Sequence, residues 1–127
     1  MIPEEARLFL DKVKACLARG RTILEAGVGE DAGRNAYLAG FHATQALIFA
    51  RTGKIAKTHR SVHSEFSKLV ITDTRLIEFR SFLRQTCELK AAADYETGAD
   101  ADVPLERADA ALQAAPRFVG LISEMLA

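Results

Sequence analysis

The sequence predicts an all-α fold, an antiparallel bundle of four to five helices. Three observations carry this. Apolar residues recur in steps of three and four along most of the chain, runs of β-branched residues are scarce, and Pro and Gly fall mostly where helices would begin or end. At 127 residues, 49% hydrophobic and 27% charged, the chain fits one domain spanning residues 1–127 with a core of its own.

The elements follow in order. The first helix is predicted from about Pro3 to Ala26, with Ala6, Phe9, Val13 and Cys16 as one apolar stripe. Gly27 and Gly29 break it. Asp31 is the expected N-cap of a second helix that ends near Thr52, where Gly53 supplies a left-handed stop. This second helix is apolar nearly all round, which marks it as central and suggests a second copy covering part of it. It carries small residues at helical spacing. Gly40 among them costs about 1 kcal/mol of helix propensity, which a close neighbour would offset. A third helix starts at Thr58 or His59, with Val62, Phe66 and Leu69 inward. Thr72 or Asp73 caps a fourth, carrying Leu76, Phe79, Leu83 and Cys87 to about Ala93. A polar loop, "DYETGADADVP", leads to a fifth helix from Pro104. There Leu105, Ala108, Leu112, Ala115, Val119, Ile122 and Leu126 repeat in threes and fours, and Pro116 predicts a kink.

Charge is balanced overall, with 17 basic and 17 acidic residues, which argues against nucleic-acid binding by bulk charge. The distribution is uneven. Residues 51–90 hold nine basic against four acidic, and residues 91–127 hold two basic against seven acidic. Either the two segments neutralise each other, or the middle forms a basic face for phosphate. The first twenty residues are studded with charge and no apolar run reaches the length of a membrane span, so a cytoplasmic protein is expected. Cys16 and Cys87 are far apart and read as reduced core thiols.

The second helix also contains Tyr37, His42 and Gln45, polar groups a plain core helix does not need. His59 extends the third helix's stripe backward and is expected to point inward, as a neutral imidazole at a helix start. His63 lies off that stripe. His59 and His63 stand at i, i+4, a spacing that suits two metal ligands, but no HExxH or Cys pair accompanies them, so no metal and no cofactor are expected. Nucleophile elbow, P-loop and GxGxxG are all absent from the sequence. Asp94 stands one turn after Lys90, and the pair Asp94–Tyr95 ends the fourth helix where it can reach another helix's start.

"NAYLAGFHATQAL", "GKIAKTHRSVHSEF" and "ELKAAADYETG", in this order, resemble the motifs of small stand-alone HEPN domains, close to AYYAxFHAxxAL, KTHRGVxxxF and ADY. The resemblance covers roughly residues 32–98. Leu38 stands where a second Tyr is usual, and Ser61 where Gly often follows "THR". The resemblance implies a helical bundle, commonly a homodimer, that often partners a minimal nucleotidyltransferase as the toxin half of a toxin–antitoxin pair. It also implies metal-independent RNA cleavage where an Arg precedes a His by four to six residues. That spacing is not met here. Arg34 and His42 are separated by about 12 Å of rise and roughly 80° in a straight helix. Arg51 and His59 flank the Gly53 turn, which could bring them together.

The functional expectation is a nucleotide- or RNA-interacting module. If it cleaves RNA, His59 is the general base and Arg60 or Arg51 holds the phosphate; Tyr37, His42, Thr58, Lys90, Asp94 and Tyr95 are candidate ligand-binding residues. The alternative is a non-catalytic dimerisation or protein-interaction module in which "FH", "THR" and "DY" only lock helices together. A basic cleft open to solvent favours the first; internal burial of His42, His59 and Tyr95 favours the second.

Overall fold

The computed structural model describes residues 2–98 and 103–127. It is all-α, with α1 (Glu4–Glu25), α2 (Gly29–Thr52), α3 (His59–Thr72), a short 3₁₀ segment (Thr74–Phe79), α4 (Phe82–Tyr95) and α5 (Leu105–Leu126). No strand occurs among the described residues. The part of the polar loop at residues 99–102 lies outside them.

α2 is the axis of the bundle. It packs along α1, α5 and α4 and touches α3. Fifteen of its residues are buried, from Gly29 to Ile48. Its apolar circumference is therefore covered within the chain, which removes the reason for expecting a second copy to cover it. The close approach predicted at Gly40 is present. A Cβ there would lie 2.5 Å from Phe82 Cε2 and 3.2 Å from Leu83 Cδ2, so α4 takes the room a side chain would need. Gly53 closes α2 at φ 74°, with its N–H on the Phe49 carbonyl.

Three local expectations are corrected. α2 begins at Gly29 with Val28 as its N-cap, and no side chain caps it. Asp31 lies inside the first turn, where the helix's positive end favours a carboxylate, and pairs with Arg34. The predicted fourth helix is two pieces. Asp73 accepts from Arg75 N–H at 3.1 Å and starts the 3₁₀ segment, and α4 begins only at Phe82. Leu76, Phe79 and Phe82 are all buried, and their spacing of three matches a 3₁₀ period better than an α-helical one. In α5, Phe118 takes the core position beside Val119, with ring centroids 5.7 Å from Phe66, 5.3 Å from Phe79 and 5.2 Å from Phe82. Leu105 of the predicted stripe is 47% exposed. α5 continues through Pro116 as one helix.

Candidate functional site

The segment after Gly53 doubles back along α2. Gln45 Nε2 donates to the Ala56 carbonyl at 2.7 Å, pinning the return. Thr58 then starts α3 with a capping box: Ser61 N–H donates to Thr58 Oγ1 at 3.0 Å and Thr58 N–H to Ser61 Oγ at 3.2 Å. Thr58 thus spends its hydroxyl on the helix start, and Ser61 completes the box.

This path sets α3's first two turns against Tyr37. The Tyr37 side chain is fully buried, yet its hydroxyl lies 2.7 Å from His59 Nδ1 and 2.9 Å from His63 Nε2. One phenol therefore ties two imidazoles on successive turns of α3. The rings of Phe41 and His59 add a contact at 5.0 Å between centroids. The i, i+4 spacing of the histidines lets both rings reach one hydroxyl. His63, set aside in the sequence because it lies off the apolar stripe, is a full member.

α4 supplies the charges. Asp94 accepts from Arg34 Nε at 2.8 Å and also binds Lys90 Nζ. Arg34 in turn pairs with Asp31. Arg34, read in the sequence only against His42, finds its partner across the bundle instead. Tyr95 is 75% exposed at the rim, with Lys90 Nζ 5.5 Å from its ring centroid.

The electrostatics follow from these neighbours. Burial, and then the nearby Cys87 thiol, push the Tyr37 hydroxyl far above its ordinary range, so it stays protonated. Desolvation lowers His59; Lys90 lowers it further and Asp94 opposes. Desolvation, and then His59 itself, lower His63. Both imidazoles are neutral at pH 7. The Lys90 ammonium, with Arg34 behind it, holds Asp94 below the usual carboxylate range.

The remaining candidates sort clearly. His59 is exposed rather than inward, with Nδ1 on Tyr37 and its outer nitrogen without a hydrogen-bond partner among the described residues. His42 belongs elsewhere. It faces α1, where Phe9 stacks on it at 6.5 Å, and its Nδ1–H donates to Gln45 Oε1 at 2.7 Å. With Gln45 on Ala56, it is a lock for the returning segment. Arg60 is exposed beside His59. Arg51 is not brought there: it stands about four helical turns, about 21 Å, up α2 from Tyr37, close enough to Asp73 to influence that carboxylate. The Gly53 turn does not fold Arg51 onto His59.

Among the described residues the acidic tail meets the basic middle at a few points only: Asp94 binds Lys90, Glu124 lies near enough to Arg75 to act on it, and the Arg117–Glu78 pair runs the opposite way in sign. No helix among the described residues is long and apolar enough to cross a membrane.

The arrangement joins a buried hydroxyl, two neutral imidazoles and a cationic network at the surface of a helical bundle. A family model for the HEPN domain matches residues 6–125, which reaches from the first turn of α1 to the last turn of α5. No curated protein matches the chain. The chain belongs to the HEPN domain family.

Proposed function

We propose that the chain is a nucleotide- or RNA-interacting module whose site is built from Tyr37, His59 and His63, with Arg34, Lys90 and Asp94 beside them and Arg60 and Tyr95 at the rim. The observation that carries this is the doubly bonded Tyr37 hydroxyl beneath an exposed His59. His42, in its lock, is half-buried with its Nδ1 on Gln45, whereas His59 is exposed and keeps one nitrogen toward solvent. Arg60 offers a guanidinium for phosphate, Lys90 an ammonium shared with Asp94, and Tyr95 a ring face for a base.

In this reading the chain is the toxin half of a pair with a minimal nucleotidyltransferase, acts as a homodimer, and cleaves RNA without metal. The outer nitrogen of His59 takes the proton of a ribose 2′-hydroxyl. The 2′-oxygen then bonds to phosphorus, the P–O5′ bond breaks, and O5′ takes a proton from water. Lys90 and Arg60 offset the charge on the phosphoryl oxygens. This places the chemistry on a His–Tyr–His centre instead of on an Arg and His of one helix.

The test is a binding titration and a cleavage assay with fluorescently labelled single-stranded RNA, on the natural chain and on His59→Ala. Loss of binding or cleavage with an unchanged melting curve is the expected result. Equal binding by both proteins, with a lowered melting temperature for His59→Ala, would reduce the centre to a helix-locking role.

A further inference from the structure

The Tyr37 centre has a neighbour on the far side of His63. While His63 Nε2 holds Tyr37, the same residue lines a surface groove of about 590 Å³ between α3 and the turn into α4. The groove's polar lining is completed by Ser67, Arg80, Ser81 and Arg84, and no carboxylate lines it. Arg80 and Arg84 are both exposed, and neither forms an ion pair among the described residues. Arg21, Arg34, Arg75 and Arg117 each have a carboxylate partner, whereas Arg7, Arg19, Arg51, Arg60 and Arg107, like Arg80 and Arg84, form no ion pair among the described residues; Arg80 and Arg84 are distinguished by lining one groove. Ile77, 47% exposed, gives the groove an apolar wall.

Ser67 Oγ–H is spent on the His63 carbonyl at 3.0 Å, but two guanidinium groups unpaired among the described residues, the Ser81 hydroxyl and an imidazole around one groove make a donor-rich, carboxylate-free lining suited to a phosphate oxygen. The apolar wall suits a sugar or base rather than a bare ion. We infer that this groove binds the phosphodiester backbone of a single-stranded nucleic acid whose neighbouring nucleotide occupies the Tyr37 centre, with Arg80 and Arg84 as the phosphate ligands. The inference rests on the nucleotide reading of that centre and sharpens it. The ligand is a strand, not a free mononucleotide, and His63 is the wall shared by its two subsites.

The experiment is a fluorescence anisotropy titration of the full chain across a salt series. The probes are a labelled eight-nucleotide single-stranded RNA, the DNA of the same sequence, and a labelled adenosine monophosphate. The variants are Arg80→Gln/Arg84→Gln, the charge-matched control Arg7→Gln/Lys14→Gln on exposed positions of α1, and His59→Ala, each checked by thermal melting. At about 0.7 per phosphate contact on a single strand, the groove variant lowers the slope of log K against log salt by about 1.4 and affinity by about 25-fold at 0.1 M salt. The control changes both far less, and mononucleotide binding is insensitive to the groove variant. Weakening of both strands assigns the contact to phosphodiester shared by RNA and DNA; weakening of RNA alone adds the 2′-hydroxyl to it. A groove variant that binds like the natural chain, or no worse than the control, overturns the groove while leaving the Tyr37 centre to stand on His59→Ala. If His59→Ala binds normally and only the groove variant weakens, the Tyr37 centre fails and the two-subsite strand with it. No binding of either strand by the natural chain overturns both.

Discussion

Replacing Tyr37 by Phe isolates the hydroxyl that organises the centre. The ring itself keeps its place: it is fully buried and packs against Phe41 at 5.8 Å between centroids. What is lost is the pair of bonds at 2.7 and 2.9 Å to His59 and His63. A neutral hydrogen bond contributes about 0.5–1.5 kcal/mol net, so the two together contribute about 1–3 kcal/mol. The upper end is reached only when the abandoned partners stay dry. His59 is exposed and recovers a water, while His63 is only half-buried, so the expected cost is about 1–2 kcal/mol. At about 3–5 °C per kcal/mol for a domain of this size, melting falls by about 3–10 °C. Urea unfolding monitored by circular dichroism measures the free energy, and calorimetry the temperature. A Phe variant within about 0.3 kcal/mol of the natural chain would show that the hydroxyl does not bond both rings in solution. A cost above about 4 kcal/mol would show that the ring had moved as well.

Gly40→Leu destabilises by at least about 1–3 kcal/mol through overpacking, since Phe82 already lies where the new side chain would begin; an unchanged urea midpoint would refute the close contact. His42, His59 and His63 all sit below their ordinary range because of burial, so the unfolded chain binds more protons than the folded one as pH falls through about 6.5. Their contribution to stability is full above that value and lost progressively below it, and urea midpoints at pH 7.5 and 5.5 should differ in that direction. Asp94→Asn lowers the titration midpoint of His59 further, because the carboxylate favours imidazolium, whereas Lys90→Met raises it; histidine NMR titrations that moved together or the other way would break the link between α4 and the centre. Sedimentation at tens of micromolar tests the homodimer, and a monomer there would remove it from the proposed function.

The helices were readable because burial writes a period of three to four into the sequence, and α1, α2, α3 and α5 lie close to where that period puts them. The break before α4 was hidden because Leu76, Phe79 and Leu83 fit an α-helical stripe as well as they fit a 3₁₀ turn followed by a helix. Only the packing of Phe79 and Phe82 on Phe118 decides between the two. For the centre, Tyr37, His59, Lys90 and Asp94 were visible as polar groups in unusual places, but their partners were not. His63 fell off an apolar stripe because it bonds a hydroxyl at the stripe's margin. Arg34 shares its own helix with His42, but its carboxylate partner across the bundle, Asp94, comes from α4, which one helix's pattern does not show. His42 looked like a site residue because the pattern of one helix cannot show that Gln45 occupies it and Ala56 occupies Gln45.

A phenol carries a single proton, and Tyr37 stands between two imidazoles that are neutral and so have one N–H each. When that proton points to His59, His59 keeps its own on Nε2, and His63 must offer Nε2–H to the oxygen, which leaves His63 Nδ1 bare. When it points to His63, His59 must offer Nδ1–H, which leaves His59 Nε2 bare and His63 protonated on Nδ1. The tautomers of the two rings are thus slaved to one hydroxyl rotor, and in either setting one outer nitrogen is a base and the other an acid. A proton received at His59 and shifted through the phenol leaves from His63, on the side of Arg80 and Arg84. Exchange of acid and base roles between the two successive turns of α3 then requires no movement of a heavy atom.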